Sequence, residues 1–220
     1  MIDSRYRPTK IELYGFIGVI KIVYYLILTK IFYPTARLIR FPFDVRGKKY
    51  INFGSNITIG KYCRIEAYPY LHKGSIIEFG KNVEINDFVH IAGLVKVKIC
   101  DNVLIASKVY ISDLNHGLFD GGQTDTFPEE ISGNRPVYGK EIIIHDNVWI
   151  CESVSVLPGV TIGRCSVIGA NSVVTKDIPS YTIAVGVPAK PIKKFNFDLN
   201  KWEAIIIYFL FVGFNLFKSI

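Results

Sequence analysis

The sequence predicts an all-β solenoid, a parallel β-helix of about five triangular coils, and three observations lead there. An apolar residue returns every six positions, as in Ile144, Ile150, Val156, Ile162, Ile168 and Val174. A small or turn-forming residue often follows it, as in Phe53-Gly54, Ile59-Gly60, Phe79-Gly80 and Ile85-Asn86. The rule holds at fifteen positions, with small slips after Ile65 and Ile91 and one long break at 113–143. A helix would repeat its apolar residues every three or four positions, and a half-buried strand every second one. Six fits neither alone. It fits a short strand plus a turn, with three such units making one coil of a triangular prism. The aliphatic then points into the prism, and the small residue permits the corner conformation. Stacked coils hydrogen-bond as parallel strands about 4.8 Å apart, giving a prism on the order of 25 Å tall.

In chain order, residues 1–40 are expected to form an N-terminal helical cap or peripheral segment. Within them, 11–33 is apolar almost all round, with Glu12 and Lys30 on one side and Lys21 opposite. Such a helix is either buried or in contact with lipid. Because open solenoid ends must be covered, it is expected to cap the prism. Residues 41–195 carry the hexads, and 113–143 is an inserted loop. Residues 196–220 form a hydrophobic extension containing a charge-free run of fourteen, 204–217. As a helix that run reaches about 21 Å, too short to cross a roughly 30 Å hydrocarbon core but long enough to lie on one. Peripheral membrane contact through 202–220 is the expectation.

The net charge of +7 concentrates at 5–49 and 190–194. That would suit an acidic ligand or an anionic membrane surface. Nucleic acid ranks last because no basic-aromatic recognition motif is present. The four cysteines lack C-x-x-C spacing, which argues against a zinc site or disulfide framework and for a reducing compartment. Arg5, Arg7 and Lys10 precede an apolar run, but Glu12 and Lys21 interrupt it and no small-residue cleavage site follows. The segment is therefore read as retained, not as a signal peptide.

Several stretches carry a more specific signal: I-N-D-F-V-H-I-A (85–92), D-N-V-L-I-A-S-K-V-Y-I-S-D-L-N-H-G (101–117), D-N-V-W-I (146–150), P-G-V-T-I-G (158–163), G-A-N-S-V-V-T-K-D-I-P (169–179) and G-V-P-A-K-P-I (186–192). Together these resemble the hexapeptide-repeat acyltransferases, in the branch of galactoside and maltose O-acetyltransferases and of bacterial O-acetyltransferases of lipopolysaccharide and capsule biosynthesis. The resemblance covers 37–194. It implies a left-handed coil, a homotrimer, acetyl-coenzyme A as co-substrate with no metal, and a cytoplasmic enzyme, with peripheral contact on the inner membrane as a further expectation.

It also implies roles. His116, in D-x-N-H, would be the general base that takes the proton of a sugar hydroxyl in a direct transfer. An imidazole, titrating near 6.5 in its unperturbed state, suits that task at neutral pH. Its position where the hexads stop and a loop begins fits a functional residue presented by a scaffold. Asp113, Glu129 and Glu130 are candidates to orient it, and Asn115 shapes the turn beside it. Asn86 and Asp87, with His90, correspond to acceptor-sugar contacts. Trp149, Ala170, Thr175 and Lys176 correspond to the coenzyme A groove, and Lys190, Lys193 and Lys194 could meet its phosphates as point charges. Two departures stand out: Cys151 replaces the glycine usual after W-I, and Glu152 follows it. The 113–143 loop also differs from that of the simple sugar acetyltransferases, so the acceptor's identity does not carry over.

Three other functions compete with O-acetylation of a surface-polysaccharide sugar or its precursor. A nucleotide-sugar N-acetyltransferase uses the same scaffold on an amine. A prism-shaped zinc carbonic anhydrase needs three converging histidines, and His90, His116 and His145 lie far apart in the chain. A non-catalytic scaffold leaves the D-L-N-H stretch unexplained.

Overall fold

The hexads translate into three flat parallel sheets that the chain visits in rotation. The computed structural model describes residues 8–70 and 74–205. Sheet A stacks Leu38–Ile39, Thr58–Ile59, Glu84–Ile85, Leu104–Ile105, Trp149–Ile150, Val167–Ile168 and Thr182–Val185, then adds antiparallel Lys190–Asn196 and Lys201–Ala204. Sheet B stacks Phe43–Arg46, Cys63–Ala67, His90–Gly93, Tyr110–Ser112, Ser155–Val156 and Val173–Val174. Sheet C stacks Ile51–Asn52, Ile77–Phe79, Val97–Ile99, Ile142–Ile144 and Thr161–Ile162. Equivalent hexad positions are in register, Ile65 with Ile91 and Ile91 with Ile111. Each aliphatic therefore stacks on its counterpart in the coil below.

The core takes two residues from many hexads. Val103 and Ile105, Val109 and Ile111, and Val148 and Ile150 are all buried. Strand alternation explains the pairing, since residues two apart share a face. The valine begins the inward face and the isoleucine completes it.

Corner chemistry differs from the simple expectation. The left-handed conformation falls three residues after the aliphatic, at Asn56, Tyr62, Asn82, Phe88, Asn102 and Lys108 among others. Asparagine tolerates it, and the corner asparagines bond to one another, Asn56 to Asn82 at 2.7 Å and Asn82 to Asn102 at 2.9 Å. The small residue directly after the aliphatic answers a different demand, the close approach of neighbouring coils. A Cβ on Gly60 would stand 2.5 Å from the Asn86 carbonyl carbon, closer than carbon atoms can pack.

The N-terminal helix, α1, is Lys10–Phe32, opened by a Thr9 capping box with Glu12 and interrupted by non-helical Gly15. Thr29 is its one buried residue. The last turn is fixed through Thr29, whose hydroxyl accepts the Ile39 amide at 2.9 Å and donates to the Tyr25 carbonyl at 2.6 Å. Aromatic residues that follow α1 cover the first coil: Tyr33 packs edge-on to Phe53, and Phe53 stacks on Phe79. Most of α1 is left outside the core. The tail from residue 206 onward lies outside the described residues, and with it most of 202–220.

The inserted segment begins and ends as a two-stranded arm, Leu114–His116 antiparallel to Val137–Gly139. Asp113 fastens its base. Its buried carboxylate accepts the amides of Leu94, Val95 and Lys96 at 2.7, 2.8 and 2.7 Å, in the corner of the preceding coil.

Candidate active site

The outward row of sheet B forms the wall of a cleft of about 400 Å³, and the arm forms its rim. Register places Arg64, His90 and Tyr110 side by side on successive strands, and Glu66, Ala92 and Ser112 in the next row. His116 and Asn115 enter from the arm. His116 comes directly before Gly117, whose φ of 105° lets the chain turn away.

Glu66 organises the wall. One carboxylate oxygen accepts from Arg64 at 2.8 Å and His90 Nε2 at 2.8 Å, and the other from Arg46 at 2.9 Å and the Tyr68 hydroxyl at 2.9 Å. Burial opposes ionisation of Glu66. Hydrogen bonds from Tyr68 and His90, with the charges of Arg64 and Arg46, outweigh it and hold the pKa below the ordinary value of 4.5.

This network also engages His90. Its Nε2 lies 2.8 Å from a Glu66 carboxylate oxygen, and Nδ1 stands 3.3 Å from an Arg64 nitrogen that can only donate. Both ring nitrogens are therefore occupied. It lines the cleft as a wall and has no lone pair free for a substrate proton. By contrast, among the described residues no hydrogen bond engages either ring nitrogen of His116.

The expected orienting groups are elsewhere. Asp113 spends its carboxylate on the three amides of the neighbouring corner, and burial raises its pKa even against those bonds. Glu129 and Glu130 lie on the outer part of the loop, outside the residues lining the cleft. The expected sugar contacts Asn86 and Asp87 are not in the cleft either. They occupy the corner between sheets A and B, where Asp87 accepts from Arg40 at 2.7 Å and from the Lys61 amide at 2.8 Å. That carboxylate serves the corner. The residues of the wall missed from sequence are Arg64, Glu66, Tyr68 and Tyr110. Aligning Ile65, Ile91 and Ile111 would have exposed them, because the residues flanking those isoleucines stack in the same register.

The residues expected at the donor groove occupy two edges. Trp149 is outward on sheet A, 48% exposed, and Ala170 follows at the corner between A and B. Thr175 and Lys176 leave sheet B at the corner shared with the arm, two strands beyond Tyr110–Ser112. One outward lane is continuous: Trp149 pairs with Val167, Val167 with Ile183, and Ile183 with Lys193. Three strand steps separate Trp149 from Lys193, about 14 Å. Lys190 and Lys194 stand exposed on the same terminal strand.

No group of three His, Cys, Asp or Glu side chains that could hold a metal occurs among the described residues. The cysteines are free, and burial pushes the Cys63 thiol up to about 11. A thiol so disfavoured as thiolate is a poor nucleophile.

Residues 141–176 match the bacterial transferase hexapeptide (six repeats) family. Over 190 residues, 86% of the chain, it is 43% identical to WbbJ of Escherichia coli (strain K12), and the match covers 95% of that protein. The chain belongs to the hexapeptide-repeat acyltransferases. WbbJ is named as a candidate lipopolysaccharide biosynthesis O-acetyl transferase. The galactoside O-acetyltransferase of the same strain is 40% identical over 139 residues, 63% of this chain and 64% of that one. Among solved structures, the hexapeptide-repeat acetyltransferase VCA0836 of Vibrio cholerae, complexed with acetyl-coenzyme A, is 26% identical with a TM-score of 0.50. That match covers 66% of this chain and 70% of VCA0836. This acyltransferase thus shares with its family the repeated coil that built the three sheets, and family membership makes it an enzyme.

Proposed function

We propose that this acyltransferase moves an acetyl group from acetyl-coenzyme A to a hydroxyl of a sugar in a surface polysaccharide or its precursor. His116 is the general base. The observation that carries this is the difference between the two histidines of the cleft: His90 has both nitrogens engaged, whereas His116 has neither. A hydroxyl seated beside His116 can give up its proton to the ring as its oxygen attacks the thioester carbonyl. The ring then returns the proton to the departing thiolate. Arg64, Tyr68, Tyr110 and Asn115 offer hydrogen bonds to a polar acceptor on the same wall. The sugar-acetylating names of WbbJ and the galactoside enzyme support the acceptor class. The four free cysteines fit a reducing cytoplasm.

The test of reaction class is the product. Incubation with acetyl-coenzyme A and cell-envelope saccharides is expected to give acetyl groups released by mild alkali, as esters are. Alkali-resistant amides formed on amino-sugar nucleotides would instead identify an N-acetyltransferase.

The lane from Trp149 to Lys193 suits the donor, an apolar run for the pantetheine arm ending at cations for phosphate. It lies on sheet A, whereas His116 rises from the corner beyond sheet B. A left-handed trimer of roughly five-coil prisms, as the family implies, would bring one chain's lane beside its neighbour's arm. Mixing His116→Ala and Trp149→Ala chains is then expected to restore part of the activity each lacks alone, since some mixed sites hold both native residues. Mixed trimers no more active than the better parent would place both residues in one chain's site.

A further inference from the structure

Helix α1 presents an apolar stripe to solvent. Phe16, Ile20, Val23, Ile27 and Ile31 follow at spacings of four, three, four and four, and each is between 50% and 72% exposed. Such spacing lines one helical face. The opposite face carries Ile22, Tyr25 and Thr29, which meet the first coil through the Ile39 amide and the Phe41 ring. The stripe is therefore held outward by construction. At 100° per residue, Lys30 falls about 60° to one side of its centre and Lys21 about 120° to the other.

We propose that this stripe docks α1 on an anionic lipid surface, lying in the interface without crossing it. Crossing is disfavoured by the helix itself. Gly15 has φ 65° and ψ 173°, so the unbroken part is 16–32, about 26 Å long. Lys21 would sit inside the hydrocarbon, and the Thr29 bonds tie the far end to the prism. Lying flat, the stripe enters the acyl boundary while Lys21 reaches the headgroups freely and the Lys30 ammonium, donating to the Pro34 and Ala36 carbonyls, adds its positive charge at the border.

Two other occupants fit less well. The tail leaves from the far end of sheet A, eight strand steps from the strand beneath α1, about 38 Å away. Self-association through the stripe would crowd its lysine borders together, whereas an anionic headgroup layer complements both. The inference does not depend on the acetyl-transfer reading.

Full-length chain is expected to co-float with vesicles of phosphatidylcholine and phosphatidylglycerol, and much less with phosphatidylcholine alone. Ile20→Glu with Ile27→Glu is expected to lower partitioning by at least about tenfold while leaving oligomer size and melting temperature unchanged. Equal partitioning of variant and wild type would overturn the proposal. So would a change of oligomer size in the variant, which makes the stripe a contact between copies. A tail variant, Phe209→Asp with Phe211→Asp, is expected to float like wild type. If it alone abolishes flotation, the docking element is the tail and not α1.

Discussion

His116→Ala is expected to lower acetyl-transfer turnover by about 100- to 10,000-fold, the usual cost of losing a positioned general base. The physical basis is local. His116 projects from the arm into the cleft, and its backbone pairing with Val137 does not involve the ring. Truncation therefore removes the proposed proton acceptor without opening the core, and stability should change by no more than about 0.5 kcal/mol. His90 cannot substitute, because Arg64 and Glu66 occupy its nitrogens. Steady-state turnover beside a thermal melt and a sizing measurement checks all three statements. Wild-type turnover in a folded variant would remove His116 from the chemistry.

Glu66→Ala is expected to have the second-largest effect, on stability and acceptor binding together. Its carboxylate is almost wholly buried and collects Arg46, Arg64, Tyr68 and His90. Removing it strands those donors against one another, at a cost of about 1–3 kcal/mol for the lost satisfaction. The cleft wall would loosen, and KM for the acceptor should rise more than turnover falls. The pH dependence has a defined sign. The folded-state pKa lies below 4.5, so this carboxylate contributes stability above that value and loses it as pH falls through the lower folded value. Denaturation at neutral pH should separate wild type from variant, and the gap should narrow under acid. An equal gap at both pH values would mean that the carboxylate's charge contributes nothing.

The inward half of this fold was legible because one side chain type at one spacing has few interpretations. Ile65, Ile91 and Ile111 announce a stacked face simply by their place in the count of sixes. The outward half was less legible, since its order follows from register between coils. His116 and Asn115 were found through the resemblance carried by D-x-N-H, with their place at the end of the hexads in keeping with it, and both line the cleft. Glu66 was missed although it directly follows a hexad isoleucine, because a single acidic residue in a strand resembles a solvated one until its four donors arrive from neighbouring strands. Asn86 and Asp87, expected from the family resemblance, stand at a corner outside this cleft, where Asp87 accepts from Arg40 and the Lys61 amide. The need to cover an open solenoid end suggested capping by α1; how much of the helix packs on the prism, with Thr29 its one buried residue, depends on side-chain fit that the sequence does not display.

The placement of the arm has a consequence for how such enzymes diversify. It leaves the prism after Ile111 and rejoins at Ile142, and both residues stay in their ladders as though nothing intervened. Asp113 seals the junction from below, so the coils above and below need no knowledge of what lies between 117 and 136. Doubling a flexible excursion costs only about 0.6 kcal/mol of closure entropy. On the proposed reading, the acceptor end of the reaction is a replaceable cassette plugged into a fixed frame, where new acceptor preferences can be sampled while the coils stay unchanged.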